Sequence, residues 1–458
     1  MTIEKTRLFR GVSRRGLLRQ AVATGASLGA LSAAMPAPFN FLQGAFAADQ
    51  PPIGTWPAGS EGSTVTIGAA VPLTGTYAQS GADELKGMQL AVDHINEGNE
   101  LIKKIAPKVT KGLLGKTVKL VSADSGAKPN NAVQAQQTFI NDDKIVLMTG
   151  STSSAVAVAT NHFAQREKVL YVAGISGSND TTGKDCVRYG FRQDFYGQTA
   201  AAAIGPVLVK KFGKNRKAAF MTPDYTYGHT VTKSVNDYLT QHGGWTQVTD
   251  QVSPLGTQDF SQYLTNIANS GAEFLINVNW GRDAVLSTQQ AHQFGIIPKM
   301  TLVIPYQTPF LAKEVGAEIM GGVLAATDFW WTLEDKYPLA KMFVEDFYKK
   351  YNYRPEWGAE NSYNSIAAWA RMVSEAGTFY PPDVIKTYEK GETFESLVGP
   401  VHYRPEDHQC VRPVIIVQGK HPKEMKNPED YWQVLEVVAG APLMQAPDAF
   451  GCHLGEYA

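Results

Sequence analysis

The sequence predicts an α/β fold made of two similar lobes, each a doubly wound parallel sheet covered by helices. Three observations carry this. Short β-branched runs alternate with segments of helical period, the alternation starts afresh near mid-chain, and 458 residues exceed one ordinary core. Taken in order, "STVTIGAAVPLTG" is a strand, Thr64 to Val71, ending in a Pro-Gly turn. "ADELKGMQLAVDHINEGN" places Leu85, Met88, Leu90, Ala91, Val92 and Ile95 at helical spacing and closes at Gly98. "GKTVKLVSADS" is a strand, and "PNNAVQAQQTFINDD" is a helix with Pro129 in its first turn. "KIVLMTG", "SSAVAVATNHFAQREK" and "VLYVAG" read strand, helix, strand. The second block begins with helix "GQTAAAAIGPVLVKKFG", strand "KAAFMTPD" and helix "GHTVTKSVNDYLTQHGG". It continues with helix "DFSQYLTNIANSGA", strand "EFLINVNW", helix "DAVLSTQQAHQFG" and strand "MTLVIP". Two long helices, "PLAKMFVEDFYKKYN" and "ENSYNSIAAWARMVSEAG", precede closing strands in "VRPVIIVQGK" and "YWQVLEVVAG". No low-complexity linker separates the blocks, so the lobes are expected to be joined by strand crossings rather than a tether.

Composition narrows the function classes. Lys plus Arg number 42 and Asp plus Glu 43, a formal net charge of -1, which gives no electrostatic basis for binding nucleic acid or an anionic membrane. Residues 1–47 read as an export signal, with a charged start, a mild apolar run and a small-x-small site at Ala45-Phe46-Ala47. Arg14 and Arg15, after Ser13 and before Leu17-Leu18, resemble a twin-arginine signal; Sec export stays open. Pro36, Pro38 and interspersed Gly and Ala argue against a stable membrane anchor. A soluble, exported, periplasmic protein is expected. The three cysteines, Cys186, Cys410 and Cys452, then suggest one disulfide and one spare thiol. The preferred pairing is Cys186 with Cys452, which would tie the tail to the body; the other two stay open.

In open α/β sheets ligands sit beyond the carboxyl ends of the strands, so each strand-to-helix junction is a candidate site. The junctions "PLTGTYAQSG", "TGSTSSA", "AGISGSND", "TPDYTYGH", "NVNWGRD" and "IPYQTPF" are rich in hydroxyl, aromatic and glycine residues. Their ionisable residues, Asp83, Glu84, Asp224, Arg282 and Asp283, read as solvated surface charges or first-turn helix acids. "GISGS" at Gly174 to Ser178 misses the G-x-S-x-G spacing of a nucleophile elbow. The mature chain has no dinucleotide fingerprint and no P-loop lysine. The Asp407-His408 pair in "RPEDHQC", read as a strand, would point to opposite faces. With no triad, metal spacing or cofactor motif, a binding protein is expected rather than an enzyme, with no cofactor.

The pieces "VTIGAAVPLTGTYAQSGADELKGMQLAVDHINEG", "GSTSSAVAVA", "TPDYTYGHT", "DFSQYLTNIANSGAEFLI" and "GPVHYRPEDHQ", in this order, resemble the leucine/isoleucine/valine-type solute-binding proteins of ABC importers. The resemblance implies two Rossmann-like lobes of the type I periplasmic binding protein fold, a hinge of three crossovers and a ligand cleft that closes on its solute. It places one lobe at 64–194 plus 329–408, the other at 195–328 plus 409–445, and leaves 446–458 as a tail. It also implies a monomer that serves an ABC permease and ATPase; a receptor module for a signalling partner is the alternative. Carried over residue by residue, it assigns Ser153 and Ser154 to a ligand carboxylate and the Ile175, Ser176, Gly177 loop to backbone contacts. Tyr227 and Trp280 become second-lobe aromatics, and Ser80 falls where relatives place an aromatic lid.

Two positions depart from the family pattern. Gly177 stands where a threonine is frequent, and Tyr306 stands where amino-acid binders carry the glutamate that pairs with the α-ammonium. A buried ammonium without a carboxylate is costly. Tyr306 therefore argues against a plain branched-chain amino acid and for an aromatic carboxylate, an amide or another small solute held by stacking and hydroxyls. Trp330 and Trp331 are expected to pack at the hinge. A hydroxyl before "AVAVA" is also a candidate helix cap, so capping and ligand binding compete at this junction.

Overall fold

The computed structural model describes residues 57–307 and 309–457; the export signal read at 1–47 lies outside them. The first sheet has the order β2-β1-β3-β4-β5, with β1 Thr64–Val71, β2 Thr117–Asp124, β3 Leu147–Gly150, β4 Leu170–Ala173 and β5 Gly190–Arg192. All its pairings are parallel. β3 and β4 are buried along their whole length, as expected for strands covered on both faces. Helix Ala78–Glu97 lies against helix Trp357–Ala376. They meet at Gly87, where a Cβ would stand 2.1 Å from the Ala359 carbonyl oxygen, so only glycine allows this approach.

The second sheet has the order β15-β14-β10-β9-β8-β6-β7. Its strands are β6 Lys217–Pro223, β7 Thr246–Ser253, β8 Phe274–Asn277, β9 Thr301–Ile304, β10 Leu324–Thr327, β14 Val414–Gly419 and β15 Trp432–Val438. β6 to β10 pair in parallel, whereas β14 and β15 add antiparallel at one edge. The fold class is thus the predicted one, with a mixed rather than purely parallel second sheet. A small antiparallel sheet, β11 Phe394–Ser396, β12 Gly399–Tyr403 and β13 Cys410–Val411, lies between helix Pro381–Tyr388 and β14 in the chain.

Three passages cross between the two halves of the chain: 193–196 after β5, 328–330 from β10 to the helices that follow it, and 411–413 from β13 into β14. Asp194, Asp328 and Arg412, one from each, meet in a buried network. Arg412 pairs with Asp328 at 3.4 Å and with Glu360 at 2.9 Å, and Asn361 donates to Asp328 at 2.8 Å. Burial raises Asp194, with Asp328 adding to it, and holds Glu360 up at about 7 despite Arg412. The Trp330 and Trp331 indoles donate to the carbonyls of Trp432 and Glu429, so both pack at the hinge side.

The chain then returns a last time. Arg404 holds the Gln445 carbonyl, Cys452 is bonded to Cys186, and Arg188 donates to the Gly455 carbonyl at 2.6 Å. Cys410 remains a buried free thiol, which burial pushes up to about 12. The segment around Asp407-His408 is a turn rather than a strand, with His408 at φ 59°. The His408 ring stacks on Phe191 at 3.9 Å and contacts Glu389 at 3.0 Å, a packing role. Among the described residues no helix is long and apolar enough to cross a membrane.

Candidate functional site

The carboxyl ends of both sheets face one cleft, and the lobes touch across its mouth. The Arg282 N–H donates to the Thr76 carbonyl at 3.1 Å, and the Tyr77 and Tyr225 hydroxyls share a hydrogen bond of 2.7 Å. Deeper in, Ser178 and Thr226 hydroxyls meet at 2.8 Å, and Asn179 donates to Ser234 at 2.9 Å. The cleft is closed.

On the first lobe the turn after β3 is conformationally unusual. Gly150, Ser151 and Thr152 have φ of 107°, 123° and 54°. A β-branched residue such as Thr152 pays for the left-handed region, and such strain concentrates at functional sites. One contact that holds it is the Ser151 hydroxyl donating to the Ile175 carbonyl at 2.6 Å. Ser153 is the N-cap of helix Ser154–Glu167, yet its hydroxyl makes no capping bond and is buried without a partner. The capping explanation is therefore set aside for Ser153. Thr152 Oγ1 is likewise buried and unpaired. Ser154 Oγ instead accepts from the Ser178 N–H at 3.1 Å.

The Ile175–Gly177 loop is mostly occupied with its own structure. Ser176 N–H donates to Asp194 at 2.9 Å and its hydroxyl meets Thr181 at 2.6 Å. The carbonyls of Ile175, Ser176 and Gly177 accept from Ser151, Arg192 and the Gly197 N–H respectively. The Ser176 hydroxyl expected at the ligand is thus turned into the lobe.

The second lobe contributes rings. Tyr306, 1% exposed, stacks on Phe195 at 4.2 Å and meets Tyr227 and Trp357 edge-on at 5.3 Å and 5.1 Å. Its hydroxyl donates to Asp194, and the Tyr227 hydroxyl donates to the Tyr306 carbonyl at 3.3 Å. Burial pushes both phenols well above their usual range, with neighbouring carboxylates and phenols adding, so both stay neutral. Trp280 packs on Tyr77 at 4.8 Å and lies 6.0 Å from Trp357. Neither indole N–H has a partner, although buried polar groups are normally paired. Ser80 lines a cavity of about 210 Å³ at the mouth, together with Thr76, Gly281, Arg282 and Glu314.

Gly177 and Tyr306 are one structural feature. A Cβ on residue 177 would lie 2.6 Å from Tyr306 Cζ and 2.9 Å from Tyr227 Cδ2. The Tyr306 ring occupies the space that a threonine side chain at 177 would need, so the two departures from the family pattern go together.

Sequence reasoning missed several residues here. Asp83 and Glu84, expected as solvated charges or first-turn acids, are buried beyond the first turn of their helix; Asp283 is a first-turn acid as expected, though buried; Asp224 and Arg282 are exposed. The signal for Glu84 was present: it precedes Met88, Ala91 and Ile95 by 4, 7 and 11 positions and so shares their buried helix face. Burial raises Asp83 and Asp283 to about 6 and Glu84 to about 8. Trp357 was missed because its helix was read as starting at Glu360. Tyr77, not Ser80, supplies the first-lobe ring at the mouth. The buried, unpaired side-chain amides of Asn279 and Gln307 flank Trp280 and Tyr306.

Residues 64–424 match the family model described as periplasmic binding protein. The Leu/Ile/Val-binding protein homolog 7 of Brucella abortus (strain 2308) is 24% identical over 304 residues, covering 64% of this chain and 72% of that one. The solved amino acid ABC transporter substrate-binding protein from Pseudomonas fluorescens Pf-5 superposes with a TM-score of 0.76 at 22% identity, covering 86% of this chain and 100% of that one. An R. palustris ABC transporter solute-binding protein in complex with benzoate gives a TM-score of 0.71 at 20% identity, covering 85% and 99%. With two α/β lobes enclosing one cleft and a family match spanning most of its length, the chain belongs to the periplasmic binding protein family.

Proposed function

We propose that this protein captures a small organic solute in its cleft and delivers it, in the closed form, to an ABC permease and its ATPase in the cell envelope. The carrying observation is that the strand-end junction after β3 leaves the Thr152 and Ser153 hydroxyls buried and unpaired, while the junctions after β8 and β9 bring the Trp280 and Tyr306 rings against Trp357. Hydroxyls at a helix N-terminus suit a ligand carbonyl or carboxylate, and flat rings suit an aromatic or planar body. The two lobes, 64–194 with 329–408 and 195–328 with 409–445, close about the Asp194, Asp328 and Arg412 crossings, and ligand contacts to both favour closure. Tyr306 ties its hydroxyl to Asp194 and offers no charge to an ammonium, which favours an aromatic carboxylate or amide over a simple branched-chain amino acid. Binding without chemical change is the activity proposed. The bacterial neighbours described with amino acid transport and with benzoate support a solute of this size. A thermal-shift screen of the mature protein against amino acids, aromatic acids, amides and urea tests the reading. A ligand at about 100 times its Kd should raise stability by about 2.7 kcal/mol. A strong shift with leucine or valine alone would overturn the ligand class, and no shift with any compound would overturn capture of such solutes.

A further inference from the structure

Glu84 is the most unusual buried acid near the cleft. It is 0% exposed, and its carboxyl has no full hydrogen bond; only the Thr152 hydroxyl and N–H lean toward it. Removing a polar group from water without a partner costs free energy, so isolated buried acids are rare unless they serve something. Its position is specific. Tyr77, Ser80 and Glu84 fall three and four residues apart along one face as the chain enters helix Ala78–Glu97. That face leads from the mouth, where Tyr77 meets Trp280 and Ser80 lines the cavity, to the strained turn after β3. Thr152 of that turn stands beside the Glu84 carboxyl and, with Ser153, brings unpaired hydroxyls to the same place.

We propose that Glu84 selects the head group of the solute, and that this head group is of carboxamide type, a C=O beside an N–H. This rests on the solute-capture reading above. Burial, with Asp83 adding, holds Glu84 up at about 8, against the opposing Thr152 hydroxyl and N–H, so it is protonated at neutral pH. A protonated carboxyl carries one donor and one acceptor side by side. A carboxamide or urea presents the complementary pair, leaving further lone pairs for Thr152 and Ser153. A carboxylate solute would set two acids in one buried site, and an ammonium would require Glu84 to ionise where burial opposes it. The titratable groups that bear on Glu84 are Asp83 on its own helix and Tyr171 on β4; the Gly150–Ser154 turn brings hydroxyls only, and helix Trp357–Ala376 brings Glu360, which is engaged by Arg412.

The experiment uses three near-isosteric probes, benzamide, benzoate and benzylamine, titrated calorimetrically into the mature protein near pH 7. Benzamide should bind about tenfold or more tightly than the other two. Glu84→Gln keeps a donor and an acceptor and should hold benzamide within a few-fold, whereas Glu84→Leu should lose about tenfold or more. Should Glu84→Leu fail to fold, the wild type decides. Its benzamide affinity should fall between about pH 7 and about pH 9, as the carboxyl loses its donor, while that of Glu84→Gln stays flat. Tighter binding of benzoate or benzylamine, an unchanged Glu84→Leu, or a flat wild-type pH profile would overturn the head-group assignment and leave solute capture standing. Absence of binding by these probes and by the wider solute panel would overturn both.

Discussion

The two walls of the cleft solve different problems. The first-lobe wall is a strained turn, Gly150 to Ser153, whose short hydroxyls at Thr152 and Ser153 lack partners. The second-lobe wall is built of rings, and its phenol tips already have partners: Tyr306 on Asp194, Tyr227 on the Tyr306 carbonyl. On the proposed reading, direction and head-group recognition fall to the first lobe and most of the contact area to the second, whose rings pack against Tyr77 and Trp357 of the first. A consequence is that the polar end of Tyr306 serves the hinge rather than the ligand. The residue that broke the family pattern acts by shape, through Gly177.

That coupling gives the largest expected effect. Gly177→Thr should drive its side chain into the Tyr306 ring and cost about 1–3 kcal/mol of stability, along with solute binding. Adding Tyr306→Ala should recover part of the stability loss, so a double-mutant cycle by chemical denaturation should give a clear non-additive coupling. Additive losses would break the link between the two positions. Next comes the ring wall: Trp280→Ala removes a buried aromatic surface and should weaken the bound solute by about 2 kcal/mol, read by calorimetry.

The hydroxyl wall should respond less, and differently. Ser153→Ala should cost about 1 kcal/mol in binding and leave ligand-free stability unchanged, because its hydroxyl bonds nothing within the protein. Ser154→Ala, which removes the bond to the Ser178 N–H, should instead lower stability by about 1 kcal/mol. A separate test concerns pH. Glu84 is raised in the folded state, so the folded form binds more protons than the unfolded one between about pH 4 and about pH 8, and stability falls as pH rises through that window. Glu84→Gln should therefore gain stability over wild type progressively from pH 5 to pH 8, measured by melting at each pH. A constant difference would mean that Glu84 ionises freely in the fold.

Much of the architecture was legible because the strands of both lobes are apolar, β-branched and separated by helices of clear period. β1 and helix Gly197–Phe212 sit where their patterns placed them. The misses have physical causes. β7, "TQVTDQVS", is a half-exposed edge strand with few apolar residues, β5 has only three residues, and β10, "LAAT", is alanine-rich with one β-branched residue. The antiparallel edge of the second sheet depends on pairings far apart in the chain. At the site, the junction residues Ser153, Tyr227, Trp280 and Tyr306 were visible as hydroxyl and aromatic residues at strand ends. Which of their polar atoms stay unpaired was not, because Ser176 and Tyr306 spend their hydrogen bonds on Thr181 and Asp194, residues whose proximity only the fold creates.

The two-walled cleft is tested most directly by one calorimetric comparison. The tightest binder from the solute panel is titrated into wild type, Ser153→Ala and Trp280→Ala. The account predicts that both variants melt within a few degrees of wild type when ligand-free, and that each binds more weakly, Trp280→Ala by about thirtyfold and Ser153→Ala by about fivefold. Unchanged affinity in both folded variants would contradict it and place the solute outside this cleft.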